Sequence, residues 1–413
     1  MTGRRRVQGG WLVLLLAALT SVGPFTVDTI FPGFPAIEAE FAATPVAVQQ
    51  TLSIYLLTFG VMSLFHGPLS DAVGRKPVIV GGSILYAATS VACALAPSLP
   101  WLLTARAAQG LVAGAGMIVA RTVVRDVFHG EQAQRAMSRM SMIFGVAPAA
   151  APIVGGWLLA LGSWRGVFWF LAAIALMLAA TSATLLPETH PPALRTPLAP
   201  GALLRAVVDS TRDAGVRRLV AVAAFNFAGL FSYIAAAPTI IVTHLGLGPG
   251  DFGVLFVPVV TAMILGSWLT GRFAGRISGP RFLTIGFGTA VLGGILQLAL
   301  DLAGRNRLPW VLAGPTLTGL GIALVFPIVT LALLELRPAH RGTLSSLQAF
   351  SSTMLNSLVA GLIVPVAARQ LPTLTLTSLA FSTAGWLVWA RHWRHAAYSR
   401  SAGTRPAESS GGL

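Results

Sequence analysis

Twelve apolar runs dominate this sequence, and each is about as long as an α-helix that crosses a lipid bilayer. Crossing the hydrocarbon core takes about 20 consecutive apolar residues. Because lipid offers no hydrogen bonds to an exposed backbone, runs of this length predict helices. The predicted spans are residues 10–36, 47–69, 77–97, 101–123, 137–160, 166–186, 217–242, 252–274, 281–301, 309–334, 343–367 and 373–391.

The composition excludes most classes of soluble protein. Of the 413 residues, 10% are charged and 55% are hydrophobic, and the mean hydropathy is +0.76. A soluble protein averages about 25% charged residues, so these few charges cannot cover the surface of a soluble enzyme. The high hydrophobicity also excludes a disordered chain. We therefore predict an all-α polytopic membrane protein that has the lipid bilayer as a partner.

The basic residues predict the orientation of the chain. The sequence has 28 Lys and Arg residues against 13 Asp and Glu, which gives a net charge of +15. They form short clusters between the apolar runs rather than one stripe, so no nucleic-acid partner is expected. With both termini in the cytoplasm, 22 of the 28 lie in cytoplasmic segments and 4 lie outside. Cytoplasmic loops carry such an excess, and we predict that both termini are cytoplasmic.

One long connection divides the spans into two sets of six. The predicted units are an N-terminal half at 1–186, a Pro- and Arg-rich cytoplasmic linker at 187–216, a C-terminal half at 217–392 and a disordered tail at 393–413. Glycine-punctuated basic turns at 67–76 and 271–281, six spans apart, indicate a weak internal repeat. Two similar halves are typical of carriers that work by alternating access, with the binding site between them.

Several kinds of chemistry lack the residues that they need. Cys93 is the one cysteine, and the histidines lack metal-ligand spacing, so neither a disulfide nor a metal site is expected. Lys76 is the one lysine. No glycine-rich phosphate loop precedes it, which argues against ATP hydrolysis, and its place outside the spans excludes a retinal Schiff base. No span carries paired acids or a nucleophile with its base, and we expect no catalytic residue and no cofactor.

Asp28 is the one carboxylate well inside a predicted span. Placing a charged carboxylate at the bilayer centre costs about 2.5–3.5 kcal/mol on insertion scales. That cost is tolerable where the group faces a water-filled cavity, in which it can bind and release a proton. We predict that Asp28 couples transport to protons and contacts the substrate. The alternative is an acid near the interface, or one that only packs against a basic partner.

Arg106 is the second candidate for proton coupling. At 1.5 Å per residue, Asp28 lies about 10–15 Å below the outer surface and Arg106 about 9 Å below it. These similar depths predict that the two side chains meet or share a hydrogen-bonded network. The alternative is an arginine that only binds backbone carbonyls.

The stretch 67–77 predicts a tight, glycine-bounded turn between spans 2 and 3. Span 4 ends on the same surface with two arginines, so a charge network there is geometrically reasonable. Such a network would latch one conformation rather than bind cargo; the alternative is a turn that only fixes the topology. The predicted latch residues are Gly67, Asp71, Arg75, Arg121 and Arg125.

Span 5 contains two prolines and a run of glycines, which bend a helix and bring backbones close together. This pattern predicts a hinge between the half-bundles. The predicted hinge residues are Pro148, Pro152, Gly155 and Gly156.

Aromatic and amide side chains inside the spans are weaker candidates for substrate contacts, because such residues more often face lipid or the core. With Asp28, they complete the predicted substrate site. They are Tyr55, Phe144, Asn226, Phe231 and Tyr233.

Together these stretches resemble the major facilitator superfamily, and within it the bicyclomycin/chloramphenicol-resistance (Bcr/CflA) branch of drug:proton antiporters. The likeness covers about residues 10–392. The turn 67–77 resembles the superfamily signature between spans 2 and 3, and the stretch 106–110 resembles its proton-transfer motif. The Pro/Gly stretch 148–156 resembles its antiporter motif, and Asp28 matches an acidic position of such carriers.

The resemblance implies the major facilitator fold, with two six-helix halves, in the bacterial inner membrane. It implies that small hydrophobic drugs or toxic metabolites leave in exchange for protons, and we expect a monomer. A uniporter or an importer of a small metabolite on the same fold is the alternative. A membrane enzyme or receptor without transport belongs to a third class, which lacks supporting residues at depth.

Overall fold

A computed structural model describes residues 2–403 apart from 275, 338 and 339, without the side chains of 2–9, 130, 131, 134 and 394–403. The described residues form helices joined by short turns, with no strand among them. Twelve of these helices are long and apolar enough to cross a membrane, which confirms the predicted all-α membrane fold. Spans 1 to 12 are Gly10–Glu40, Pro45–Val73, Arg75–Ala94, Leu99–Val127, Arg135–Ala160, Arg165–Leu185, Ala214–Ala235, Gly253–Arg272, Gly279–Leu302, Trp310–Leu336, Arg341–Ala367 and Leu371–Trp393.

The spans alternate in direction, so span 1 begins and span 12 ends on the same face of the bundle. We call this face the terminal face and the opposite one the distal face. The turn at Gly74 between spans 2 and 3 lies at the terminal face, and the loop between spans 1 and 2 lies at the distal face. Spans 1–6 form the N-terminal half and spans 7–12 the C-terminal half, which contact each other mainly through span 2 with span 11 and span 5 with span 8.

Three spans are broken near the distal face. In span 1 the α-helix ends at Asp28, and a 3₁₀ turn at Phe31–Gly33 precedes the short helix Phe34–Glu40. Span 7 ends at Ala235 and is followed by a π turn at Thr239–His244. Span 11 widens into a π turn at Val359–Ile363. Prolines lie in or beside each break, where they remove an N–H donor and disfavour helix in the preceding residue.

The predicted linker contains a helix that the sequence analysis did not predict. The helix Pro200–Arg212 packs against spans 7 and 11, with Val207 and Ser210 buried and Leu204 exposed. Apolar residues recur on one side of this short segment, but the Pro- and Arg-rich composition around it obscured the pattern.

The last helix extends into the predicted tail, 393–413. The last helix runs as Leu371–Gly403, so residues 393–403 are helical rather than disordered. No glycine or proline interrupts the chain between 386 and 402, so nothing ends the helix at the membrane surface. The remainder of the predicted tail, 404–413, lies outside the described residues.

Close packing of spans 2 and 4 predicts a measurable effect of one methyl group. We expect Gly110→Ala to lower the free energy of unfolding by about 1–3 kcal/mol, because the new Cβ would overlap the Tyr55 carbonyl and the Thr58 hydroxyl. Thermal unfolding in detergent measures the change. Gly81→Ala is the matched control, since a Cβ there meets nothing within 4 Å. Equal melting temperatures for the two variants would contradict this prediction.

Candidate functional site

Asp28 lies at the last helical residue before the break in span 1. Its side chain is buried, with 3% of the residue exposed, and Oδ1 has no hydrogen-bond partner among the described residues. The next residue, Thr29, places its carbonyl against Gly155 of span 5, where a Cβ would overlap it. Asp28 is therefore a buried carboxyl group whose charge no described cation balances.

Arg106 lies wholly inside the N-terminal half, with none of its surface exposed. Nε donates to the Thr51 carbonyl at 3.1 Å and Nη1 donates to Gln109 Oε1 at 2.6 Å. The guanidinium group lies over the rings of Tyr55, at 4.4 Å, and Phe168, at 5.8 Å. Aromatic faces and carbonyl oxygens thus solvate this charge in place of a carboxylate.

Asp28 and Arg106 form no ion pair in the described part of the chain, so the contact suggested by their similar depths is absent. The rotation of span 1 explains the difference. Thr26 bonds the Tyr86 hydroxyl inside the N-terminal half, and Asp28, two residues later, lies about 200° further around the helix. The position of a residue along a helix follows from the sequence, but the face on which its side chain lies does not.

Arg75 is the centre of a charge network at the terminal face. It is 5% exposed and forms ion pairs with Asp71 and, through Nε at 3.1 Å, with Asp126. Its Nη1 also donates to Ser70 Oγ at 2.6 Å. Glu188 accepts from the backbone N–H of Arg75 at 3.1 Å, which joins the start of the linker to span 3.

The turn at Gly74 requires glycine. Its φ is +113°, a conformation that other residues rarely adopt, and a Cβ would lie 2.6 Å from Glu188 Oε2. This geometry lets the chain reverse direction between spans 2 and 3, beside the Arg75 network.

Two of the predicted latch residues, Asp71 and Arg75, are paired in this network, and Gly67 joins it only through its carbonyl, which accepts from Ser70 Oγ at 2.8 Å. The two predicted arginines of span 4 are not part of it. The Arg121 guanidinium lies 5.7 Å from the Phe144 ring, and Arg125 is exposed; neither forms an ion pair with a described residue. Because Arg75 already supplies the buried positive charge, the neighbours that it needs are acids, and Asp126 and Glu188 take the places predicted for arginines.

The C-terminal half has a smaller counterpart at the terminal face. Asp213 caps span 7 by accepting from the N–H of Gly215 at 2.7 Å and of Val216 at 3.3 Å, and it pairs with Arg337 at 3.4 Å. Burial alone would raise the pKa of this carboxyl, but the two N–H donors and the Arg337 charge outweigh it and hold the pKa below its usual range.

Comparison with known proteins assigns the family. The family model described as Major Facilitator Superfamily matches residues 14–361. The chain belongs to the major facilitator superfamily. It is 30% identical over 357 residues to multidrug resistance protein D of Escherichia coli (strain K12), covering 84% of this chain and 88% of that one. It is also 30% identical over 293 residues to the bicyclomycin resistance protein homolog of Haemophilus influenzae, covering 70% and 74%.

These relatives confirm the resemblance to the drug-resistance branch that the motifs indicated. A solved peptide transporter, POT, has the same fold, with a TM-score of 0.74, 15% identity and coverage of 94% of both chains. The chain is thus a multi-pass membrane transporter of small molecules.

The predicted hinge of this transporter lies at the seam between the halves. The helix Gly130–Ala160 continues through Pro148 and Pro152 without a break. Gly155 contacts the backbone of span 1, and a Cβ at Gly156 would lie 2.5 Å from the Pro249 carbonyl of the C-terminal half. Gly155 therefore allows close packing of spans 1 and 5 within the N-terminal half, and Gly156 allows close contact across the seam; the action of either glycine as a hinge stays a prediction.

The predicted substrate contacts are mostly packed inside their own halves. Tyr55 lies under Arg106, Asn226 donates to the Ile322 carbonyl at 3.4 Å, and Tyr233 donates to Thr375 at 3.3 Å. These three and Phe231 are buried, whereas Phe144 beside Arg121 is half-buried. Their contact with a substrate stays a prediction.

Asp301 is a second buried carboxyl group, at the last residue of the predicted span 281–301. It is 5% exposed, and its two oxygens accept from Gln297 at 2.7 Å and from Thr375 at 2.7 Å. The sequence analysis missed this pair, although the spacing of Gln297 and Asp301, one helical turn apart in an apolar span, is a signal by which it could have been found. Unlike Asp28, Asp301 has partners for both oxygens.

The Arg75 network generates a stability prediction. We expect Arg75→Gln to lower the free energy of unfolding by about 1–3 kcal/mol, because it leaves two carboxylates without their shared cation; their partial exposure to solvent limits the loss. Arg125→Gln is the matched control and should change stability by less than about 0.5 kcal/mol. Thermal unfolding in detergent compares them. A larger loss for Arg125→Gln than for Arg75→Gln would show that the network is assigned to the wrong arginine.

Proposed function

We propose that this chain is a proton-coupled antiporter, which exports small hydrophobic drugs or toxic metabolites by alternating access, with Asp28 as the proton carrier. The drug-resistance names of its relatives support the class of cargo. The observation that carries the proposal is the Asp28 carboxyl group, buried in span 1 with Oδ1 unpartnered. A charged carboxylate is costly in such a place, so a carboxyl group there that water can reach is suited to bind and release a proton.

The proposed orientation places the terminal face in the cytoplasm of a bacterial inner membrane. Of the 28 basic residues, 22 belong to segments on that side. Retention of positive charge on the cytoplasmic side supports this assignment. Both halves of the proposed cavity come from one chain, so we propose that a monomer suffices.

In the proposed cycle, Asp28 takes a proton when the cavity opens to the outside, and its affinity for the cargo falls. The cargo leaves, the halves close at the distal face, and the proton is released to the cytoplasm when the terminal side opens. A proton gradient drives this cycle only if the two conformations bind proton and cargo with different affinities. The break in span 1 next to Asp28 provides a segment whose contacts can change with its charge.

We expect Asp28→Asn to abolish drug-induced proton release, because the amide cannot lose a proton. Everted membrane vesicles with a fluorescent pH probe measure it, with chloramphenicol and bicyclomycin as first compounds. Glu38→Gln, in the same span, is the matched control and should retain release. Undiminished proton release from folded Asp28→Asn protein would refute the role of Asp28.

A resistance screen in a pump-deficient bacterial host, with and without a proton uncoupler, tests the class of transport. Resistance that disappears with the uncoupler supports antiport. Drug accumulation that follows the drug gradient alone, with the uncoupler without effect, would identify a uniporter instead.

A further inference from the structure

We propose that a cluster of uncharged polar side chains closes the distal face, and that its hydrogen bonds set the balance between the two conformations of the transporter. The cluster, which we call the distal clasp, consists of Gln49, Gln50 and Ser53 in span 2 and Ser357 and Gly361 in span 11, with the Ala235 carbonyl of span 7. It rests on the alternating access proposed above, but it concerns residues other than Asp28.

The two glutamines donate to backbone carbonyls at helix breaks of the other half. Gln49 Nε2 donates to the Ala235 carbonyl at 3.1 Å, and Ala235 is the last residue of its helix, where carbonyls lack helical donors. Gln50 Nε2 donates to the Gly361 carbonyl at 2.9 Å. Pro365, four residues after Gly361, has no N–H to supply the α-helical bond to that carbonyl.

A reciprocal serine pair lies one turn further along span 2. Ser53 Oγ donates to the Ser357 carbonyl at 2.9 Å, and Ser357 Oγ donates to the Ser53 carbonyl at 2.8 Å. Each hydroxyl thus bonds the backbone of the opposite half. Ser357 lies two residues before the π turn of span 11, so both sets of bonds reach the same irregular segment.

Close approach of the two spans depends on Gly361. A Cβ there would overlap Ser53 Oγ and would lie 3.0 Å from Gln50 Oε1. Any larger residue at 361 must push span 2 away from span 11 and break the clasp.

The position of these bonds distinguishes a gate from general packing. Among the described residues, the side-chain hydrogen bonds that join the two halves all involve residues 49–53 of span 2. Nearer the terminal face, Leu64 and Phe65 of span 2 pack against the C-terminal half through apolar contacts. A conformation open at the distal face must exchange the clasp bonds for bonds to water, so the clasp favours the distally closed state.

The clasp contains no ionisable group, so its contribution does not change with pH. A net hydrogen bond contributes about 1 kcal/mol, and its loss shifts a two-state ratio by about 5-fold. We expect the clasp to provide a constant bias toward distal closure, on which any proton-dependent change is superimposed.

Spin labels at Leu161→Cys and Leu302→Cys, exposed at the distal ends of spans 5 and 9, report opening in a Cys93→Ala background. Pulsed dipolar spectroscopy of the full chain in lipid nanodiscs measures the distance distribution without drug. We expect Gln50→Leu, Gln49→Leu and Gly361→Ala each to raise the ratio of long to short distances by about 5-fold, equally at pH 6 and pH 8. Gln370→Leu, an exposed glutamine at the distal face, is the matched control and should leave the distribution unchanged.

An unchanged distribution in folded Gln50→Leu and Gly361→Ala would overturn the proposal, as would an equal shift in Gln370→Leu. Should the leucine variants fail to fold, Ser53→Ala removes one hydroxyl and gives the same readout. This measurement uses neither drug nor a proton gradient, so it remains decisive even if Asp28→Asn proves that protons are not coupled. A shift that appears only at one pH would assign the opening to an ionisable group instead.

Discussion

The hydrogen bonding of the backbone in lipid is the constraint on which this structure depends. A carbonyl or N–H without a partner in the hydrocarbon region costs several kcal/mol, so spans stay helical except where protein or water replaces the missing bond. In the described part of the chain the α-helix is interrupted in spans 1 and 11 and at the end of span 7, and each interruption lies toward the distal face. All three adjoin the seam between the halves, where side chains of the opposite half can supply bonds.

Four buried ionisable side chains are accommodated in four different ways within one bundle. Arg106 is solvated by aromatic faces and a carbonyl, and Arg75 is held by two carboxylates. Asp301 receives a donor on each oxygen. Among these four, Asp28 Oδ1 and Arg106 Nη2 lack a hydrogen-bond partner in the described part of the chain. A guanidinium group stays protonated in proteins, so Asp28 is the one of the two whose charge a proton can change.

The sequence predicted the spans well because apolar length is a direct requirement of the bilayer. It predicted side-chain partners poorly, because a span that faces lipid on one side and protein on the other is apolar all round, and periodicity does not reveal which face is inward. Thr26 and Asp28 illustrate the difficulty, since they share a helix but serve opposite faces. The terminal network shows the same limit: Arg125 and Asp126 are adjacent in the sequence, and only the fold shows that Asp126 reaches Arg75.

The broken segment of span 1 links the candidate proton site to the closure of the distal face. Thr29 contacts span 5 at Gly155, and Phe31 stacks on Phe256 of span 8 with ring centroids 6.3 Å apart. Spans 5 and 8 form one side of the seam, and the clasp on spans 2 and 11 forms the other. The three residues that follow Asp28 therefore contact both halves, so a change in the hydration of Asp28 would be felt first in this segment. The proposed clasp contains no ionisable group, so in the proposed cycle a pH-dependent change would arise on the side of the seam that contains the carboxyl group.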